Sequence, residues 1–264
     1  MRAPGIAGGS FNKAKEQAAA ISKIDSARGH LAFAYIYERE KDYPAAEQEL
    51  KKAIEFAPER TEPYFRLGSF YWDQKDFEKA EAAYVKAVEN DPDEPRAYYQ
   101  LGWFYQIRNE HERAIEAFQK ILEMNPDEAN ALFFLASSYL DLKEFEMADE
   151  VLAKILKINP DYTGVNFLRG KQALLSGKNL EQGIGYLEKY LQIDPQEMYH
   201  PSWSYTHLMA GIESYGPSWA AAHFIMGLIY EDLGNRKKAE KEYKKALKLD
   251  PKLVRAKEAL ERLK

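Results

Sequence analysis

Thr61–Glu94 reads TEPYFRLGSFYWDQKDFEKAEAAYVKAVENDPDE, and Pro95–Glu128 reads PRAYYQLGWFYQIRNEHERAIEAFQKILEMNPDE, the same pattern 34 residues later. Both place Leu-Gly at repeat positions 7 and 8 (Leu67-Gly68, Leu101-Gly102) and Tyr at position 11 (Tyr71, Tyr105). Both then carry Ala at position 20 (Ala80, Ala114), an aromatic at 24 (Tyr84, Phe118) and Pro at 32 (Pro92, Pro126). Apolar residues at positions 4, 7, 8 and 11 follow the i, i+3, i+4, i+7 spacing of one helix face. Small residues at 8 and 20 let two helices approach closely. Proline at 32 cannot continue the second helix and ends it near the preceding residue. The period therefore predicts a helix–turn–helix unit whose apolar face is buried only by stacking on its neighbours.

Working outward, Ala27–Arg60 fits with Ala34, Tyr37, Ala46, Leu50, Ala53 and Pro58, and Ala129–Tyr162 with Leu135, Ala136, Tyr139, Ala148, Leu152 and Pro160. Ala220–Leu253 fits with Gly227, Tyr230, Ala239, Tyr243, Ala246 and Pro251. Gly164–Glu197 is degenerate: Gly183, Leu187 and Pro195 keep the register, whereas Gly170 and Gly177 suit one that is a residue out of step. One extra residue is expected in the turn at Ser176–Leu180, with looser or shifted packing where Tyr190 replaces the usual small side chain.

These residues resemble the tetratricopeptide repeat family over nearly the whole chain. The resemblance implies an all-α fold, a right-handed superhelical solenoid of antiparallel helix pairs. It divides the chain into a half repeat (10–26), five repeats (27–60, 61–94, 95–128, 129–162, 163–197), an insertion (198–219), a repeat (220–253) and a capping helix (254–264). The run PGIAGGS, Pro4–Ser10, reads as a turn. The half repeat then has an apolar face with no partner, so self-association there is expected through Ile21 and Ile24. In the insertion, PSWSYTHLMAGIESY (Pro201–Tyr215) copies PSWAAAHFIMGLIYE (Pro217–Glu231). It reads as a duplicated first helix, either an extra helix interrupting the stack, which the apolar spacing favours, or a long surface loop.

Lys and Arg number 37 against 42 Asp and Glu, a net charge of −5, which argues against nucleic acid as the main partner. Charge is uneven, with 12 basic and 5 acidic residues from Arg236 to Lys264. This reads as a solvated face, or as a docking patch for an acidic partner or an anionic membrane surface. Cysteine is absent, which removes disulfides, thiolate nucleophiles and Cys-bound metals. No apolar run approaches the ~20 residues of a spanning helix. Met1–Pro4 lacks an apolar signal core. PGIAGGS with ARGHLAFAY also looks like bacterial exported repeat proteins, so periplasmic or exported and cytoplasmic locations both stay open.

No metalloprotease, phosphate-loop, nucleophile-elbow or dinucleotide motif is present. His30 and His223 fall at repeat position 4 and read as packing residues, and no metal or cofactor is expected. The reading is a binding scaffold and not an enzyme. In the family the first helices line a concave groove, with positions 2, 5, 9 and 12 facing it. That implies partner-binding residues Tyr35, Phe65, Arg66, Trp72, Tyr99, Trp103 and Phe133, contacting a peptide or helical segment of another protein. The Lys and Asn pattern by which chaperone-tail adaptors clamp a carboxylate is absent, since Leu31, Tyr35 and Arg66 stand at those positions. Two other readings are an assembly scaffold acting through the insertion or convex face, and a carrier of a small hydrophobic ligand.

Overall fold

The computed structural model describes residues 5–192 and 218–263, and every regular element among them is an α-helix. The chain forms two compact units, residues 1–104 and 105–264. The first holds α1 (Gly5–Ser22), α2 (Ser26–Glu40), α3 (Tyr43–Phe56), α4 (Thr61–Asp73), α5 (Phe77–Asn90) and most of α6 (Pro95–Ile107). The second holds α7 (His111–Met124), α8 (Ala129–Asp141), α9 (Phe145–Ile158), α10 (Gly164–Ser176), α11 (Leu180–Tyr190), α12 (Trp219–Asp232), α13 (Arg236–Leu249) and α14 (Val254–Arg262).

Within each pair the helices meet where the sequence removes side chains. A Cβ added to Gly68 of α4 would lie 2.6 Å from the Tyr84 ring of α5, and one on Gly227 of α12 would strike Tyr243 of α13. Tyr84 and Tyr243 are fully buried in the space so made, beside Ala80 and Ala239. The turn inside a pair is left-handed at position 15: Lys41, Lys75, Asn109, Lys143 and Gly234 all have φ between 58° and 73°. Each of these turns feeds an N-cap, and Asp42, Asp76 and Asn235 accept from backbone N–H groups of the next helix. The second helices α3, α5, α7, α9 and α13 stop two residues before Pro58, Pro92, Pro126, Pro160 and Pro251.

The degenerate repeat differs in its turn. Gly177 (φ 66°) takes the left-handed slot, and a second left-handed residue, Asn179 (φ 53°), is added before α11. Tyr190 is nonetheless fully buried, its ring 5.4 Å from Phe167, so the side chain is accommodated inside the pair.

Two expectations are corrected. The PGIAGGS run is not a turn from Gly5 onward, because α1 begins there. A glycine costs only about 1 kcal/mol in a helix interior and nothing after Pro4 breaks the helix. α1 packs on α2, where Gly29 admits Ser22 and Lys15 pairs with Glu40 at 2.8 Å. The stack is also not interrupted before α12, because α12 packs directly on α10 and α11. The duplicated segment itself lies outside the described residues.

His30 and His223 do pack inside their repeats, and both do so as hydrogen-bond donors. His30 Nδ1 donates to Glu49 and His223 Nδ1 to Glu242, each at 2.6 Å, and Lys52 and Lys245 donate to the same carboxylates at 2.8 Å. Burial works to raise both carboxyls, but the hydrogen bonds outweigh it and hold them below the ordinary range.

A carboxyl held low in the folded state contributes stability above its unfolded pKa of about 4.3 and loses it as pH falls through the folded value. The thermal midpoint should therefore drop as pH is lowered from about 5 to 3, and Glu242→Gln should flatten that drop while lowering the midpoint at neutral pH. A drop of the same steepness in Glu242→Gln would contradict the assignment. Separately, Gly68→Ala should destabilise by about 1–3 kcal/mol in urea unfolding, since the methyl group has no room beside Tyr84.

Candidate partner-binding face

In the first unit α2 and α4 touch directly, so their free sides make one face. Tyr35 stands on it 52% exposed. One turn on, Glu38 Oε1 lies 3.8 Å from Arg66 Nη2, an ion pair that ties α2 to α4. Asp73, at the end of α4, lies in the field of the same guanidinium. Loss of water pushes the Glu38 and Asp73 carboxyls up, while Arg66 pulls both down. Burial outweighs the guanidinium, so both carboxyls sit above their ordinary range in this half-buried cluster. Behind it Ser69 and the Tyr84 hydroxyl are 3.3 Å apart.

The other expected aromatics are placed differently. Phe65 is 9% exposed, Trp72 8%, Trp103 7% and Phe133 1%. Trp72 meets Phe77 and Phe104 edge-on at 5.1 and 5.6 Å, so its ring is part of the core between neighbouring pairs. Tyr99 is half-buried, its ring 6.3 Å from Trp103. Of the seven residues singled out from the sequence, the structure leaves Tyr35 open and Arg66 and Tyr99 partly accessible. It packs the other four.

The second unit closes its corresponding positions. Phe133 lies against Phe134 and Tyr162, Leu140 is fully buried, and Tyr162 donates to Asn130 at 3.0 Å. Lys171 is buried, and its ammonium donates to Asp141 at 2.8 Å and to Ser137 at 3.2 Å. Its charge is thus neutralised by the neighbouring pair of helices.

Sequence reasoning missed Glu38, Asp73 and Lys171. Glu38 was within reach, since it occupies position 12 of the same face as Trp72. Lys171 falls at position 9 only in the out-of-step register of the degenerate repeat. Among the described residues no group of three His, Asp or Glu side chains is set to hold a metal, and His200 and His207 lie outside them. No helix among the described residues is long and apolar enough to cross a membrane. Exposed Ile21 and, at 91%, Ile24 mark the end of α1.

Residues 71–249 match the family described as the cilia and flagella-associated protein 70 middle TPR-like domain, and residues 37–102 match the tetratricopeptide repeat. No curated protein sequence matches the chain. Among solved structures it is similar to a tetratricopeptide repeat protein from Parabacteroides merdae at 20% identity, covering 90% of this chain and 98% of that one, TM-score 0.58. It is also similar to PilW, a widely conserved type IV pilus biogenesis factor, at 19% identity over 87% and 97% of the two chains, TM-score 0.60. A thermophilic TPR protein of Thermus thermophilus is 19% identical over 77% and 98%, TM-score 0.57. At such identities the likeness is one of fold.

The burial pattern separates two mutational effects. Trp72→Ala should lower unfolding stability by about 3–5 kcal/mol, as an emptied core site does. Tyr35→Ala should change it by less than about 0.5 kcal/mol. Equal losses in the two variants would contradict the placement of these rings.

Proposed function

The chain belongs to the tetratricopeptide-repeat family, whose helix pairs build scaffolds for protein–protein interaction, and we propose that its α2–α4 face, edged by Tyr99, holds an extended or helical segment of another protein. The observation that carries this reading is Tyr35, half exposed beside the Glu38–Arg66–Asp73 cluster. An exposed tyrosine offers large contact area at low entropic cost, and a guanidinium flanked by carboxylates offers both donors and acceptors to a bound main chain. Phe65, Trp72 and Trp103, buried in the first unit, take a supporting part in holding the helices that present these groups, and Phe133 packs within the second unit. The other two readings have less behind them. An open depression of about 630 Å³ is lined by Asp127, Ala153, Lys154, Lys157 and Ile158, a charged setting for a hydrophobic ligand. Assembly through the insertion rests on sequence alone.

Affinity capture from source-cell lysate, with mass spectrometry of the bound fraction, tests the proposal. A protein retained by the wild type should be lost from Tyr35→Ala/Arg66→Ala and kept by a chain lacking Met198–Gly216. Retention by the double variant would overturn the proposal, and loss on the deletion alone would favour assembly through the insertion.

A further inference from the structure

The C-terminal charge excess is organised by α13. Successive helical residues turn by about 100°, which puts Lys237, Lys241, Lys244 and Lys248 in one narrow sector. Ala239, Tyr243 and Ala246 occupy the opposite sector and are fully buried. All four lysines are exposed, and exposed Lys252 continues the row in the turn before α14. Lys244 pairs with Glu240 at 2.5 Å. Lys237, Lys241, Lys248 and Lys252 have no ion-pair partner among the described residues. Packing does not need this row, because the core of the last repeat is made by Phe224, Ala239, Tyr243, Ala246, Ala256 and Ala259.

We propose that the outer face of α13, with the α13–α14 turn, is a peripheral docking surface for an anionic lipid bilayer. Three features favour a bilayer over a protein or a nucleic acid. The row is lysine throughout, a strongly hydrated point charge without the fixed fork of arginine, and lysine is depleted at protein interfaces. Leu249 and Val254, 48% and 43% exposed, flank the turn at the end of the row, where apolar side chains can enter the headgroup layer. Among the described residues no aromatic ring stands exposed along the row for bases to stack on. The remainder of the chain is net negative and is repelled by such a surface, so attachment is confined to this end.

The test is co-sedimentation with phosphatidylcholine vesicles containing about one part in three phosphatidylserine, against phosphatidylcholine alone. The wild type should sediment with the anionic vesicles, stay in solution with the neutral ones and be released by high salt. Lys237→Glu/Lys241→Glu/Lys248→Glu should weaken partitioning by roughly a hundredfold with its thermal midpoint unchanged. The same charge change at exposed lysines of α3, α5 and α7, Lys51→Glu/Lys86→Glu/Lys120→Glu, should leave most of the binding. Failure of the wild type to bind anionic vesicles, or an equal loss in both triple variants, would overturn the proposal. So would retention on a polyglutamate resin without vesicle binding, which would point to an acidic protein.

Discussion

The structure depends on the close approach of two helices at a glycine. Where position 8 is glycine, the second helix can press a tyrosine ring against the first helix's backbone, as Tyr84 does on Gly68 and Tyr243 on Gly227. In the degenerate repeat Leu187 meets Gly170 in the same way. Dispersion contacts at that distance are individually small, and at these three glycines they cannot form if a methyl group stands between. Burial also pushes the Tyr84 phenol up to about 12, so the ring stays neutral in its slot. The left-handed residue at position 15 and the proline at 32 then fix where each helix turns and stops.

Given that frame, the remaining side chains of the first helices have two fates. Those aimed at the next pair, such as Trp72 and Phe133, are consumed in packing, and they set the spacing of the stack. Those that clear the neighbouring helix, such as Tyr35, are left for solvent or a partner. Charges on the same face follow the same division. Lys171 is paired with Asp141 and hydrogen-bonded to Ser137, whereas Arg66 pairs with Glu38 and lies in the field of Asp73 on a half-buried surface. In the first unit Tyr35 is thus left uncovered while Phe65, Trp72 and Trp103 are packed, and in the second unit Phe133, Leu140 and Lys171 are all buried.

The repeat, its helix ends and the misaligned turn at Gly177 were legible in the sequence because each is a local matter of spacing and backbone freedom. The extent of α1 was not, since glycines that favour a turn in isolation are overridden when the helix they extend is itself packed. Nor was the continuity of the stack before α12. A duplicated apolar pattern reads the same whether it joins a core or leaves it. Position number picks out the candidate face, but position does not say which aromatic is covered. That depends on the neighbouring pair, and Trp72 and Tyr35 are told apart only by what packs against them.

The central claim is that a partner segment lies on the α2–α4 face. Hydrogen–deuterium exchange of the chain with and without its captured partner tests this most directly. The account predicts added protection in α2 and α4 around Tyr35, Glu38 and Arg66, with the outer helices α3 and α5 unchanged. Protection confined to α3 and α5, or appearing only in residues 191–218, would contradict it.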